Sequence, residues 1–313
     1  MRYVVTGGAG FIGSHLVEHL VRTGADVVVL DDLSTGKRAN LAPWLDRITL
    51  IEGSITDPAV CARSIVGADY VLHQAAIPSV PRSVADPLRS HAVNATGTLN
   101  VLVAARDAKV KRVVYAASSS AYGDTAELPK HEAMVARPRS PYAAAKLAGE
   151  DYCRAFFASY GLPAIALRYF NVFGPRQDPN SEYAAVVPKF ITAALAGTAP
   201  VIYGDGGQTR DFTYVENVVR ANLAACTASE SAFGEAFNIG CGDRLSISEL
   251  WSKISALGGR PTPARHEPAR AGDVRDSLAS LDRARALLEW SPTVGLDEGL
   301  ARTIAAFRAG AGS

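Results

Sequence analysis

Val4-Val5-Thr6-Gly7-Gly8-Ala9-Gly10-Phe11-Ile12-Gly13 reads as a short apolar strand, a glycine-rich turn and the opening of a helix. The glycines fall at Gly7, Gly10 and Gly13, a GxxGxxG spacing rather than GxGxxG. Glycine tolerates the turn dihedrals and lets the backbone approach a phosphate closely. The spacing predicts a helix over 14–23, whose positive N-terminal end faces that negative charge. Gly24 stops the helix, and Val27-Val28-Val29-Leu30 reads as a second buried strand ending in Asp31-Asp32. A carboxylate about 20 residues past the glycines suits the ribose hydroxyls of a dinucleotide and repels a 2′-phosphate, so NAD is favoured over NADP. Lys37 and Arg38 lie nearby and keep NADP open. The plain alternative is a capping turn followed by surface acids; the intact order of strand, glycines, helix, strand and acid outweighs it.

The 313 residues suffice for one large domain or two intimately packed ones. Hydrophobic residues make up 48% and charged residues 20%, as in an ordinary globular protein. A formal net charge of +1 provides no global field to recruit nucleic acid or membrane, so neither partner is expected. An anionic substrate must be attracted by local Arg and Lys. No apolar run is long enough to span a bilayer, and the chain starts on a strand rather than a leader, so the cytoplasm is the default expectation. Cys61, Cys153, Cys226 and Cys241 are too widely spaced for a zinc or redox pattern and read as structural; the histidines are scattered, and no metal site is expected.

Strand-like segments at 3–6, 27–30, 48–52, 70–73, 112–117 and 164–169 alternate with helical patterns such as 88–109 and 142–160. This βαβ alternation predicts an α/β fold, a doubly wound, Rossmann-like parallel sheet covered on both faces, with ligands beyond the carboxyl ends of the strands. After Phe173 the pattern changes to a polar loop at 174–180, a helix at 186–195, a strand at 200–203 and a turn at 204–207. Helices follow at 246–257, 282–288 and 296–307, the first opened by a Ser246 and Glu249 capping box. We expect residues 1–173 to bind the dinucleotide, with 212–240 returning to that sheet. Residues 174–313 should mainly form a smaller C-terminal α/β domain for substrate.

Ser140-Pro141-Tyr142-Ala143-Ala144-Ala145-Lys146 carries the chemistry. Ser140 caps a helix, Pro141 suits its first turn, and Tyr142 and Lys146 then share a face. A nearby ammonium and an oxidised nicotinamide both favour a phenolate, which removes a hydroxyl proton as hydride leaves the same carbon. YxxxK alone is common by chance, and an amphipathic helix with a solvated lysine reads the same way. Its partner is Ala117-Ser118-Ser119-Ser120-Ala121-Tyr122-Gly123 at the end of the fifth strand, where hydroxyls can bond a substrate hydroxyl. The order of all four motifs, rather than any one, decides the reading.

With those motifs the sequence resembles the extended short-chain dehydrogenase/reductase superfamily, and within it the NAD-dependent nucleotide-sugar epimerase/dehydratase family. His73-Gln74-Ala75-Ala76, Asn94, Arg168-Tyr169-Phe170-Asn171, Arg210-Asp211-Phe212 and Arg270-Ala271-Gly272-Asp273 extend the likeness over nearly the whole chain. The resemblance implies tightly bound NAD that takes hydride from sugar C4 and returns it to the other face of a rotated 4-keto sugar. It implies Ser118, Tyr142 and Lys146 as catalytic residues. It implies a cofactor site of Gly7, Gly10, Phe11, Ile12, Gly13, Asp31, Asp32, Ser34, Thr35, Gly36, Ser54, Ile55, Gln74, Ala75, Ala76, Asn94, Tyr142, Lys146 and Phe170. For a UDP-sugar it implies Ser79, Ser118, Ser119, Ser120, Tyr142, Asn171, Val186, Val201, Tyr203, Arg210, Arg270, Asp273 and Ser277. Independently, Arg210 and Arg270 offer planar forks for a diphosphate, although each alone reads as a surface charge. Tyr203 suits packing on uracil, and ordinary core packing reads nearly as well. A homodimer through the helices at 88–109 and 142–160 is likewise implied by the resemblance.

The serine segment discriminates among reactions. Sugar 4,6-dehydratases of this family place Asp-Glu where Ser119 and Ser120 stand, because eliminating water needs an added acid and base, and uronate decarboxylases usually carry an acid there too. The segments around Pro78 and Phe173 look most similar to bacterial epimerases that handle UDP-N-acetylglucosamine, and small Ser277 leaves room for an N-acetyl group. Plain UDP-glucose and UDP-galactose also fit. A uronate stays open if Arg176 or Arg82 meets its carboxylate, as does a reductase of a nucleotide-linked keto sugar.

Overall fold

The computed structural model describes residues 1–179, 185–259, 261–269 and 274–310. The chain runs β1 (Arg2–Thr6), α1 (Phe11–Arg22), β2 (Asp26–Asp31), β3 (Thr49–Glu52), α2 (Pro58–Ile65), β4 (Tyr70–His73), α3 (Val80–Ala85), α4 (Pro87–His91), α5 (Thr98–Asp107), β5 (Arg112–Ser118), α6 (Pro141–Tyr160) and β6 (Ala164–Tyr169). It continues through β7 (Val172–Phe173), α7 (Val186–Ala196), β8 (Val201–Tyr203), β9 (Thr209–Arg210), β10 (Thr213–Tyr214), α8 (Val215–Thr227), β11 (Ala236–Ile239), β12 (Leu245–Ser246), α9 (Ile247–Gly258), β13 (Arg265–Glu267), α10 (Asp282–Leu288) and α11 (Leu296–Gly310).

Seven strands form one parallel sheet in the order β11-β6-β5-β4-β1-β2-β3. Its central strands are almost continuously apolar because helices bury both faces. One face packs Leu16, Val17 and Leu20 of α1 with Val218 and Ala221 of α8; the other packs Cys61 and Ile65 of α2 with Val101 and Ala105 of α5. The strand order reverses between β1 and β4, which opens a crevice at their carboxyl ends. Within segment 212–240, α8 packs on α1 and β11 pairs with β6. A third core joins α7, α9 and α11 around Phe190, Trp251 and Leu300. Among the described residues no helix is long and apolar enough to cross a membrane.

The helix predicted at 88–109 is interrupted. A π-helical turn over Ala92–Gly97 separates α4 from α5. The widened turn brings Asn94 inward, where its amide brackets Ile77, accepting from N at 2.8 Å and donating to O at 3.0 Å. Side-chain demand on one loop has overridden regular helix geometry here.

Candidate active site

The glycine turn is built for close approach. Gly7 has φ +68, and a Cβ there would lie 2.6 Å from Ala75 N; a Cβ on Gly13 would lie 2.1 Å from Gly7 O. Helix α1 opens on Gly10 with no side-chain cap and no acid in its first turn, which leaves its first amides for an external anion. Asp31 is buried at the tip of β2. Its carboxylate accepts from Ala9 N and Leu33 N, each at 2.8 Å, while burial raises its pKa against those bonds. Thus Asp31 braces the glycine turn as well as lying beside the crevice. Asp32 caps the following turn through Ser34, and Ser34 and Thr35 stand exposed. Lys37 pairs with Asp178 at 3.0 Å and Arg38 pairs with Glu52, so both cations that kept NADP open have acidic partners. The uncapped helix, the glycine cradle and the acid at β2 fit a dinucleotide diphosphate and ribose.

On the other side of β1, Ala75 N donates to Thr6 Oγ1 at 3.2 Å, and Asn94 fixes the loop after it. Gln74 donates to Asn222 at 3.0 Å and accepts from Tyr169 at 3.2 Å. Ala76 is half-buried beside them. Ser54 is half-buried and bonded to Thr56, Ile55 is buried, and Phe170 is fully enclosed against Tyr122. Asn94 and Phe170 are both fully buried.

Ser140 caps α6 by accepting from Ala143 N at 3.1 Å, with Pro141 in the first turn as expected. The helix lies along β5, so its second turn meets the strand end. Lys146 is 3% exposed, donates to Ala116 O at 2.8 Å, and lies over the Tyr115 ring at 5.0 Å. Burial alone pushes its pKa down to about 7. It makes no ion pair among the described residues, and its ammonium carries three donors. Tyr142 is half-buried. Burial raises its phenol, and interaction with the Ser118 hydroxyl is what draws it down. The expected lowering by Lys146 is not seen; in the chain alone Ser118 is the group that favours phenolate. Ser118 Oγ also accepts from Ser120 N at 3.2 Å and Oγ at 2.8 Å, and Ser119 lies half-buried beside it. The turn carries three hydroxyls and no carboxylate.

A cavity of about 250 Å³ opens beyond the strand ends. Asn171, Val186, Val201, Tyr203 and Arg210, all expected on the substrate side, line it together. Asn171 has φ 29 and donates to Asp211 O at 3.0 Å and to Ser277 Oγ at 3.3 Å, so Ser277 reaches the cavity through Asn171. Arg210 is anchored to the carbonyls of Thr209 and Arg275 at 2.9 and 3.1 Å. Ser79 caps α3 from a strained φ of 101. Arg270 and Asp273 lie outside the described residues. Arg176, the residue considered for a uronate carboxylate, is engaged on α1: it donates to Glu18 at 2.6 Å and bonds His15 at 2.5 Å.

Gln208 and Phe212 also line the cavity and were missed. The signal was present, because Gln208, Arg210 and Phe212 alternate and so share one side of an extended chain. Asp211 points the other way, accepting from Cys241, Gly242 and Ala279 amides at 2.7, 3.0 and 3.1 Å, with burial raising its pKa to about 6.

The NAD dependent epimerase/dehydratase family matches residues 3–240. The chain is 42% identical over 312 residues to a UDP-glucose 4-epimerase of Mycolicibacterium smegmatis, covering 98% of this chain and 99% of the relative. It is 35% identical over 318 residues to a UDP-N-acetyl-alpha-D-glucosaminuronate decarboxylase of Bacillus cytotoxicus, covering 98% of each. Among solved structures it superposes with a TM-score of 0.94 on the UDP-N-acetylglucosamine 4-epimerase of Methanobrevibacter ruminantium in complex with UDP-N-acetylmuramic acid. That match is 40% identical and covers 99% of this chain and 98% of the other.

Proposed function

The chain belongs to the NAD dependent epimerase/dehydratase family, and from that premise we propose that it is a UDP-sugar 4-epimerase working on UDP-GlcNAc and UDP-GalNAc, and on UDP-Glc and UDP-Gal. The observation that carries this reading is the acid-free turn of Ser118, Ser119 and Ser120 packed against Tyr142. Eliminating water or losing carboxylate calls for an added acid or base beside the sugar, and hydroxyls cannot provide one. Epimerisation needs, besides a hydride acceptor that gives back what it takes, only a proton taken from and returned to one hydroxyl.

Residues 1–173, with 212–240, would hold NAD, its diphosphate on the glycine turn, one ribose near Asp31 and the other near Lys146. Bound NAD supplies a reversible acceptor for the C4 hydride. Tyr142 takes the C4 hydroxyl proton and returns it, and Ser118 orients that hydroxyl while drawing the phenol toward ionisation. Residues 174–313 would mainly hold the nucleotide, with Arg210 on the diphosphate, Tyr203 on the base and Asn171 bridging toward Ser277. Small Ser277 favours the N-acetylated sugars. The engagement of Arg176 on α1 weighs against a uronate. We also propose a homodimer through the α4–α5 segment and α6.

Incubation with UDP-GlcNAc, followed by proton NMR, should give UDP-GalNAc at equilibrium without net consumption of NADH. No C4 epimer from any UDP-hexose would refute the proposal, and stoichiometric oxidation of added NADH would mark a reductase instead.

A further inference from the structure

Helix α6 holds Tyr142 and Lys146, yet the residues it buries near them are small: Ala143, Ala145 and Gly149. Gly149 sets the distance to the sheet, because a Cβ there would lie 2.4 Å from the Tyr115 hydroxyl. Small contacts of this kind set spacing but carry no directional bond. The next residue supplies what they lack. Glu150 is 3% exposed and accepts two bonds from Arg168 of β6, from Nε at 2.8 Å and from Nη2 at 2.6 Å. A two-pronged guanidinium and carboxylate contact is planar and admits one orientation.

Burying such a pair is a poor route to stability, since desolvation offsets the attraction. Arg168 Nη1 is moreover buried without a partner among the described residues. The pair is, however, connected to the rest of the site. The guanidinium lies over the Tyr122 ring, 4.7 Å from its centroid, and Tyr122 ends the turn that begins after Ser118. The Tyr122 hydroxyl donates to Asn238 Oδ1 at 2.6 Å. Asn238 Nδ2 donates in turn to the carbonyls of Lys130 at 2.8 Å and Ser280 at 3.2 Å, three residues beyond Ser277. One connected set of side chains thus ties the Tyr142 helix, the serine turn and the segment next to the sugar side.

We propose that Arg168, acting through Glu150 and Tyr122, is the positioning residue that keeps the Tyr142 phenol and the Ser118 hydroxyl in register for proton transfer. This rests on the epimerase reading above. Misplacing a reacting group by about 1 Å costs on the order of a hundredfold in rate.

The test is the double variant Glu150→Leu with Arg168→Met in the NAD-loaded enzyme. It should unfold at no lower urea concentration than the parent, yet kcat should fall at least about tenfold while KM moves less than about threefold. The acid limb of the kcat profile should move to higher pH. Recovery of parental kcat together with stability would overturn the proposal. Should the double variant not fold, Tyr122→Phe removes only the bond to Asn238 and should show the same split between kcat and KM, smaller in size; unchanged kcat there also overturns it. If the parent epimerises no UDP-hexose, the epimerase reading has failed, and positioning is read instead from the Tyr142 phenolate. Its ultraviolet titration, measured against the matching Tyr142→Phe protein, should shift in the double variant; an unshifted titration counts against the proposal.

Discussion

Lys146 is buried without an ion-pair partner among the described residues and is pushed down to about 7, whereas an unfolded chain would hold it near the ordinary lysine value of 10.5. A lysine depressed in this way penalises the fold wherever the unfolded chain carries the charge. The penalty is full below about 7 and gone above 10.5, so stability rises with pH between the two. The raised thiols and phenols act in the opposite sense only as pH passes their own unfolded values of 9.0 and 10.0. From pH 7 to 8, before the thiols begin to titrate in the unfolded chain, the NAD-free protein should therefore gain about 1 kcal/mol in urea unfolding. Lys146→Met should be flat over that window; an equal slope in both proteins would refute the assignment. Tyr142 and Lys146 were legible because i and i+4 spacing fixes one helix face whatever surrounds it. The ring beneath Lys146 was not. Tyr115 gets there by pairing in register with His73 across β4 and β5, a neighbourhood set by strand order. His73 is buried between Thr6 and Thr98 and pushed down to about 3, chiefly by burial and then by Lys146, a setting that no spacing of scattered histidines could signal.

The glycine turn and α1 form an element whose shape permits no side chain at Gly13. The atoms in the way are backbone atoms of Gly7 and Gly8, at 2.1 to 2.8 Å, and cannot swing aside. Gly13→Ala should cost about 3 kcal/mol and strip NAD from the purified protein. Gly24→Ala is the control: it has φ +79 with open space around it, so only backbone strain of about 1 kcal/mol applies and NAD should stay bound. NAD content and urea midpoints of the two variants check this, and retention of NAD by Gly13→Ala is the adverse result. The long βαβ elements were legible because burial on both faces leaves uninterrupted apolar runs. The π-helical turn in the 88–109 segment was not, since it answers to the backbone of Ile77. Nor were β7, β9, β10 and β12, each two residues long and too short to show a period.

At the scale of the whole molecule, the outer side of the sheet leaves apolar surface uncovered where α3 and α4 pack on α6. Leu88 is 82% exposed on α4, Val84 65% on α3 and Tyr152 37% on α6. Charged side chains are the ordinary choice at such positions, and grouped apolar ones mark a surface meant to be covered. A two-fold partner would cover the same elements on both copies, since one patch meets itself across the axis. It would also back α6 with a second layer, giving the helix of Tyr142 and Lys146 a rigid support on the side away from the sheet. Light scattering at tens of micromolar should therefore report twice the 33.0 kDa chain mass. Leu88→Glu places a charge at the most exposed apolar residue of the patch and should weaken association at least about tenfold without unfolding the chain. With α6 in the proposed interface, the separated variant should also lose turnover, and adding protein to drive reassociation should restore it. A wild-type chain that scatters as a monomer would leave the patch without this partner.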